Sequence, residues 1–579
     1  MRHGLIAALL GLTHAAWPIT VSLKSSVPSP APLGKIVTWT ASVSDAGEGA
    51  TWYRFRGRPA GEDFHVIKDF GPGNTLDWAS IRSEGFYEIE VTARNLKTGD
   101  TANAATLFEL QSLVTGGEPV ITPTSHPLVF IYSSPSCAAG SHMRVRFHDT
   151  GGIVKTTSAR ACLDGKSMNF YIAGLKPETQ YSIRSAIHTG SDVNHGPVLN
   201  VATAEAGPGF ARQDVVQSSN GMGRDKEGVV LQAVLNGKQL ATDLDGNVIW
   251  YYPGSLSYIT RPSGGGRFLG ILQDPKGDPS KQIFREFDLA GVTLRETNAA
   301  RVSEQLVAMG KRPITAFHHE VRWLPDGKIV ALASIEQILT DVQGPGPVDV
   351  IGDMIVVMDS NLHVVWAWDA FDHLDVTRLA TFHEQCPGGC PPLYLATTAN
   401  DWTHGNAVAP TPDGNLLFSA RHQDWVIKIN YQNGAGSGDV IWRLGKDGDF
   451  TINSTDPSPW FSHQHDPQFL SDGSTLTVFD NGNVRYETDH SQNSRGQVLS
   501  LDEANRTATL TLNADLGNYC MALGAAEKLR SGNYYFHCGW SGNATSYLLE
   551  VDPSGQLMYA LHAQAAEYRS FRMVDLYKP

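Results

Sequence analysis

A short motif recurs after residue 209, and it limits what this chain can fold into more than any other feature. It joins a polar, glycine-containing turn to an apolar run: Leu324-Pro-Asp-Gly327 leads into Lys328 to Ser334, and Thr411-Pro-Asp-Gly414 into Asn415 to Arg421. Leu470-Ser-Asp-Gly473 leads into Ser474 to Asp480, and Leu529-Arg-Ser-Gly532 into Asn533 to Gly539. A second motif closes the units with a short strand ending in an aromatic, as in Asn247 to Trp250, His363 to Trp366, Asp439 to Trp442 and Gly555 to Tyr559. Two strands around the turn and two before the aromatic make a four-stranded sheet, which cannot bury both faces alone and must stack on its own copies. Counting from residue 228 gives six units, the third enlarged by a loop holding Cys386 and Cys390. This predicts a six-bladed β-propeller over 210–579; packed sandwiches do not generate this order of turn, strand and aromatic.

Two smaller β modules are predicted ahead of it. Over 17–115, Tyr87, Ile89, Val91 and Ala93 alternate with Glu88, Glu90 and Thr92, the pattern of a half-buried strand in an Ig-like β-sandwich. Gly116-Gly117-Glu118-Pro119 marks a boundary. The segment 119–206 ends in Leu175-Lys-Pro-Glu-Thr-Gln-Tyr181, which resembles the fibronectin type III pattern of a tyrosine bonding back to the backbone at a sheet corner. The whole is therefore expected to be all-β, and the composition agrees: only 18% of residues are charged against about 25% in typical soluble chains, and 57 are glycine.

A formal charge of −14 excludes the broad basic surface that nucleic-acid binding requires. The one strongly apolar run, Gly4 to Leu12 after Arg2 and before Thr13 and Ala15, reads as a signal peptide over 1–15. It is too short to span a bilayer, so a secreted or periplasmic protein without a membrane span is expected. Six cysteines in an exported chain suit disulfides, and spacing suggests Cys137–Cys162, Cys386–Cys390 and Cys520–Cys538 among the 15 pairings available.

Nine of the twenty histidines fall between 318 and 465, and their place in the repeat matters more than their number. His319 stands seven residues before Asp326, His465 seven before Asp472, and Asn406 seven before Asp413 with His404 two residues earlier. Equivalent positions of successive blades face one axis, so these side chains should converge. Arg421 ends its strand where Ser334, Asp480 and Gly539 end theirs, and a lone arginine there suits an anion. Imidazoles, an amide and an arginine at a channel mouth fit a tetrahedral anionic group, with a neutral imidazole as nucleophile. His318, His422 and His463 are weaker candidates, because strand alternation turns them from the axis if their neighbours point inward. Zinc held by His463 and His465 with His319 or His404 remains an alternative. A calcium-dependent propeller lactonase or esterase, and a non-catalytic adhesive propeller, are others. Trp402, Trp460 and Phe461 flank the candidates and are expected in an aryl pocket or in blade packing. No Gly-x-x-x-x-Gly-Lys-Ser/Thr loop, His-Glu-x-x-His helix or Gly-x-Ser-x-Gly elbow occurs.

Asp401-Trp-Thr-His404-Gly-Asn406, Phe418-Ser-Ala-Arg421-His-Gln-Asp-Trp, Ile441-Trp-Arg-Leu-Gly445, Phe461-Ser-His-Gln-His465-Asp and Val478-Phe-Asp-Asn-Gly482 stand in this order. Together they resemble the secreted arylsulfate sulfotransferases, six-bladed propellers that do not use the nucleotide sulfate donor. The resemblance implies ping-pong transfer of a sulfuryl group from an aryl sulfate to a phenol through a sulfohistidine, without cofactor or metal. On this chain it implies His465 as nucleophile, with His463 as the neighbouring candidate. It implies His404, Asn406 and Arg421 around the sulfate oxygens, and the pair His318 and His319 as donor and proton carrier, His319 the better placed. The identities of donor and acceptor, and whether the chain forms a homodimer, stay open.

Overall fold

The computed structural model describes residues 19–45, 47–219, 228–387 and 392–578. The signal peptide expected over 1–15 and Cys390 lie outside the described residues. The fold is all-β, 51% strand and 5% helix. No helix among the described residues is long and apolar enough to cross a membrane.

Strands up to residue 111 form two groups, Thr20–Ser25, Val37–Ser44 and Thr75–Trp78 in one, and Thr51–Pro59, His65–Gly71, Gly85–Asn95 and Thr101–Gln111 in the other. Val37, Trp39 and Leu76 from the first share one core with Phe55, Ile89, Val91 and Phe108 from the second. The alternation expected at Tyr87 to Ala93 holds only in part: Tyr87, Ile89, Val91 and Ala93 are buried and Glu88 and Glu90 half-buried, but Thr92 is buried as well. In the next segment Tyr181 Oη accepts from the Lys176 backbone N–H at 2.9 Å, the back-bond its sequence context predicts. Both segments are tied to the rest: Arg94 forms a bidentate pair with Glu304 at 2.7 and 2.8 Å, and His126 Nε2 bonds to the Tyr251 carbonyl at 2.8 Å.

Six sheets after residue 212 share one plan among the described residues. Each runs outward from an innermost strand: Tyr258–Ser263, Ala316–Trp323, Gly405–Pro410, His465–Phe469, Cys520–Lys528 and Glu567–Met573. The last of these pairs with Val229–Val234, so the C-terminal strand completes the sheet that the N-terminal part of this region begins. Neighbouring innermost strands lie against one another in chain order, and Glu567–Met573 lies against both Cys520–Lys528 and Tyr258–Ser263. The closing aromatics fasten one sheet to the next. Trp250 donates to the Leu289 carbonyl at 2.8 Å, Trp368 to the Gly438 carbonyl at 2.9 Å, and Trp442 to Glu503 at 3.0 Å, all three rings fully buried. Trp368 takes this role where the repeat suggests Trp366, which instead packs edge-on against Tyr431 at 4.9 Å, half-buried. The two lie on one face of their strand, and the inner of them reaches the sheet interface.

Cys137–Cys162 and Cys520–Cys538 are bonded. Cys386 is buried, and its expected partner is the residue outside the description. Cys137–Cys162 closes a separation of 25 residues. Replacing both cysteines by serine is expected to lower stability by about 3 kcal/mol through the freer unfolded chain, read as a lower denaturant midpoint; an unchanged midpoint refutes this.

Candidate active site

The register of every innermost strand slips against its partner, between Ile259 and Arg261, Phe317 and Val321, Gly405 and Ala407, His465 and Gln468, Cys520 and Ala522, and opposite Gln232 to Val234. A bulge leaves a residue unpaired and re-aims its side chain. The residues at or beside these slips converge. Arg261 bonds Glu320 at 3.0 and 2.9 Å and also pairs with Asp466; Arg569 bonds Glu320 at 2.7 Å and the Asn406 carbonyl at 2.7 Å. Arg261 and Arg569 pair with the Glu320 and Asp466 carboxylates, as burial of charge demands, and Arg322 adds a third guanidinium whose charge both carboxylates feel. Calcium would need uncompensated oxygen ligands here, and the arginines occupy that role.

One or two residues before the cluster members stand His319, His404, His465 and Tyr568. His319, His404 and His463 have φ of +58°, +44° and +52°, a left-handed backbone that costs energy in a non-glycine residue and is found concentrated at functional sites. Bulges and positive φ together break period-two alternation. The His319 ring lies 5.0 Å from His404 and 5.6 Å from Tyr568, and His404 stacks on His422 at 4.3 Å.

His465 is buried, and its Nδ1 lies 2.6 Å from Asn481 Oδ1. Asn481 Nδ2 donates to the Cys520 and Leu523 carbonyls at 2.8 and 3.2 Å, so Oδ1 must face His465 as an acceptor. The hydrogen-bond inventory therefore assigns the proton to Nδ1 and leaves a lone pair on Nε2. Burial, then the charge of Arg421, holds its pKa well below the ordinary imidazole value, against the bond to Asn481 that favours the cation; Arg569 and His404 add to the lowering.

The other histidines are backed by carboxylates. His404 Nδ1 meets Asp401 at 2.6 Å, His463 Nε2 meets Glu384 at 2.6 Å, and His318 Nε2 meets Asp353 at 3.0 Å with its Nδ1 2.8 Å from His319 Nδ1. His422 Nδ1 donates to the Asp401 carbonyl at 2.7 Å, so its Nε2 accepts from Arg421 Nη1 at 2.6 Å. Arg421 Nη2 donates to the Met521 carbonyl at 3.3 Å. Both partners are neutral, so no carboxylate contact spends the guanidinium charge. Asn406 Nδ2 donates to the Gln464 carbonyl at 2.7 Å, which leaves one of its two N–H groups for another acceptor.

Several sequence expectations change. His318 touches His319 directly because its strand bulges between Phe317 and Val321, and His422 lies inside the cluster because it sits in the short 3-10 turn Arg421–Gln423 beyond its strand's end. His463 and His465 diverge, one to Glu384 and the other to Asn481, so the zinc set built on both does not form. Two other groups, Glu384 with His422 and His463, and Asp401 with His404 and His422, have ligand atoms within 4.8 Å of one another. In the first, Arg421 bonds the His422 nitrogen; in the second, His404 Nδ1 bonds the Asp401 carboxylate and His422 Nδ1 its backbone carbonyl. Trp402 and Phe461 are packed in sheet cores and Trp460 lies against one, so they do not line an aryl pocket. Exposed Phe382, stacked on His463 at 4.9 Å, and exposed Met521 flank the cluster instead. A cavity of about 260 Å³ lined by Gln468, Glu527 and Arg572 includes none of the candidate histidines.

Asn481 was discoverable from the repeat. It follows Asp480 as His422 follows Arg421, and both bond to a ring or arginine of the site. Glu384, in the enlarged loop, carried no such signal.

The model of the Arylsulfotransferase (ASST) family matches residues 212–570. No curated protein matches. Among solved structures, the FN1-FN3 domains of chicken CNTN1 align at 12% identity over 32% of this chain and 68% of that one, with a TM-score of 0.14. The chicken interferon gamma receptor alpha chain aligns at 11% identity over 33% of this chain and 100% of that one, with a TM-score of 0.13.

Proposed function

Because the chain belongs to the arylsulfotransferase family, we propose that it moves a sulfuryl group from an aryl sulfate to a phenol through a sulfohistidine at His465. The observation that carries this reading is the lone pair left on His465 Nε2 by the Asn481 bond to Nδ1, in a ring that feels the charges of Arg421 and Arg569. His465 Nε2 attacks sulfur, the S–N bond forms, and the S–O bond to the aryl group breaks. Arg421 and the spare N–H of Asn406 are the donors to the charge that spreads over the sulfuryl oxygens, beside the rings of His404 and His319, and the aryl group leaves as the phenolate. Such a loose transition state needs positioning and cationic donors more than covalent help. A phenol then attacks the sulfohistidine and the imidazole leaves.

The architecture in this reading is a six-bladed propeller over 210–579, supported by the contacts that link its six innermost strands and by the C-terminal strand that completes the first sheet. Two sandwich modules over 17–115 and 119–206 and a signal peptide over 1–15 complete it, and the two disulfides suit an oxidising compartment.

Brief incubation with 4-nitrophenyl sulfate should add one sulfuryl group to the peptide containing His465, detected by mass spectrometry; an unmodified protein overturns the reading. The rate of this addition has a distinctive pH dependence. An imidazole of ordinary pKa loses about half its nucleophilic form at pH 6.5. His465 is held well below that value, so its neutral form survives acidification and the rate is expected to stay flat from about pH 7.5 to 6. A fall by half near pH 6.5 contradicts this. The sign for stability is the opposite of protection by acid: His319, His422 and His465 bind protons in the unfolded chain before the folded one. Their contribution, present above about pH 6.5, is lost as pH falls below it.

A further inference from the structure

Asp353 belongs to the strand Pro347–Met358, away from every motif of the sequence, yet it touches two parts of the site. One carboxylate oxygen accepts from the Gly405 backbone N–H at 2.7 Å and from the Thr403 hydroxyl, holding the turn that carries His404. The other lies 3.0 Å from His318 Nε2. Although burial pushes its pKa upward, the bonds from His318, Thr403 and Gly405 outweigh this and keep it ionised.

An ionised carboxylate can only accept, so His318 Nε2 carries a proton. In neutral His318 the lone pair is then on Nδ1, which must accept from His319 Nδ1–H at 2.8 Å. His319 is left with its lone pair on Nε2. Its backbone N–H is fixed on Tyr258 Oη at 2.8 Å, and its ring faces His404 and Tyr568. The groups facing this pair are Asp353, His404, His465, Tyr258, Tyr568 and Arg569. Burial, with His318, His404, His465 and Arg569 around it, makes an isolated imidazole at His319 a poor base. A carboxylate one ring behind it supplies the compensating charge as a proton arrives.

We propose that Asp353, acting through His318, sets His319 Nε2 as the general base that takes the acceptor phenol's proton. This rests on the sulfuryl-transfer reading above. As the phenol oxygen bonds to sulfur, the S–N bond to His465 breaks and its electron pair returns to the imidazole. The phenol proton passes to His319 Nε2, and the resulting positive charge is shared with His318 and balanced by Asp353. The next donor's leaving phenolate recovers that proton, so the cycle needs no outside acid. His319 touches the reacting atoms; His318 and Asp353 are positioning residues.

Asp353→Asn tests this. The carboxamide keeps an oxygen for Gly405 and Thr403 but turns an N–H toward His318 Nε2. Both tautomers then invert, and His319 presents N–H where a lone pair is needed. Sulfohistidine formation from 4-nitrophenyl sulfate, whose phenol is already a good leaving group, should fall at most about threefold. Transfer from the sulfo-enzyme to a phenol should fall between about ten- and a hundredfold, and more steeply the higher the pKa of the acceptor. His318→Asn breaks the chain one link nearer and should give the same acceptor dependence, which keeps the test decisive if Asp353→Asn does not fold. Equal losses in both half-reactions, or a loss independent of acceptor pKa, overturn the relay alone. A wild-type protein that never gains a sulfuryl group removes the reaction and the relay with it.

Discussion

His465→Asn is expected to abolish sulfuryl transfer, with turnover of 4-nitrophenyl sulfate and phenol falling by at least about 10⁴-fold. Asparagine offers no nucleophilic nitrogen, so the covalent route is lost outright and the remaining donors can only assist direct transfer. The variant should stay folded, because its amide can still donate toward Asn481 Oδ1, which faces His465 Nδ1 at 2.6 Å in the native protein. Two readouts must agree: no sulfuryl mass on the 465 peptide and no burst of nitrophenol. Retained turnover with the sulfuryl mass still on this peptide, which also carries His463, and fragment ions placing it at His463, would transfer the nucleophile's role to that neighbour. The geometry argues against this, since His463 Nε2 is bonded to Glu384 at 2.6 Å and its Nδ1, which has no hydrogen-bond partner, lies 3.1 Å from the Asp424 carboxylate, whose negative charge repels a sulfuryl oxygen.

Arg421→Ala is the second large effect, a loss of about 10² to 10³ in kcat, the cost of removing one preorganised donor to developing charge. The guanidinium is poised rather than neutralised. Its bonds go to His422 Nε2 and the Met521 carbonyl, and its Nε has no hydrogen-bond partner. Arg421→Lys should recover only part of the loss, because a lysine ammonium lacks the planar fork that meets two sulfuryl oxygens at once. Inhibition by inorganic sulfate separates binding from catalysis: the alanine variant should lose it along with turnover. A variant that keeps wild-type turnover would remove Arg421 from the site and favour a binding protein over an enzyme.

Much of this site was legible before any coordinate. The spacing of His319, Asn406 and His465 from their Asp-Gly turns put three residues at equivalent places, and Arg421 stood out where small or acidic residues end the other strands. The histidines at equivalent places do meet, His319 beside His404. Period-two alternation fails here for two different local reasons. Alternation assumes a regular strand, but the strand of His318 bulges and turns it in, and His422 lies past its strand in a 3-10 turn where period two no longer holds. Of the two places expected for Trp402 and Phe461, an aryl pocket or packing between sheets, they take the second.

The sequence by itself determined the kind of fold and the candidate site: a repeat that forces sheets to stack, a crowd of imidazoles at the start of their strands, and one arginine out of pattern. Local spacing carries that information because each unit repeats the same few residues. The resemblance already pointed to His465, and only the tertiary structure supplied the ring partners on which the proposal of that imidazole as nucleophile rests. That choice rests on the partner of each ring, an amide for His465 and carboxylates for His318, His404 and His463. Those partners come from other strands and from the enlarged loop, up to 79 residues away for Glu384 and His463. A hydrogen bond fixes a tautomer only when both groups are already held in place, and the stacking of sheets is what holds them.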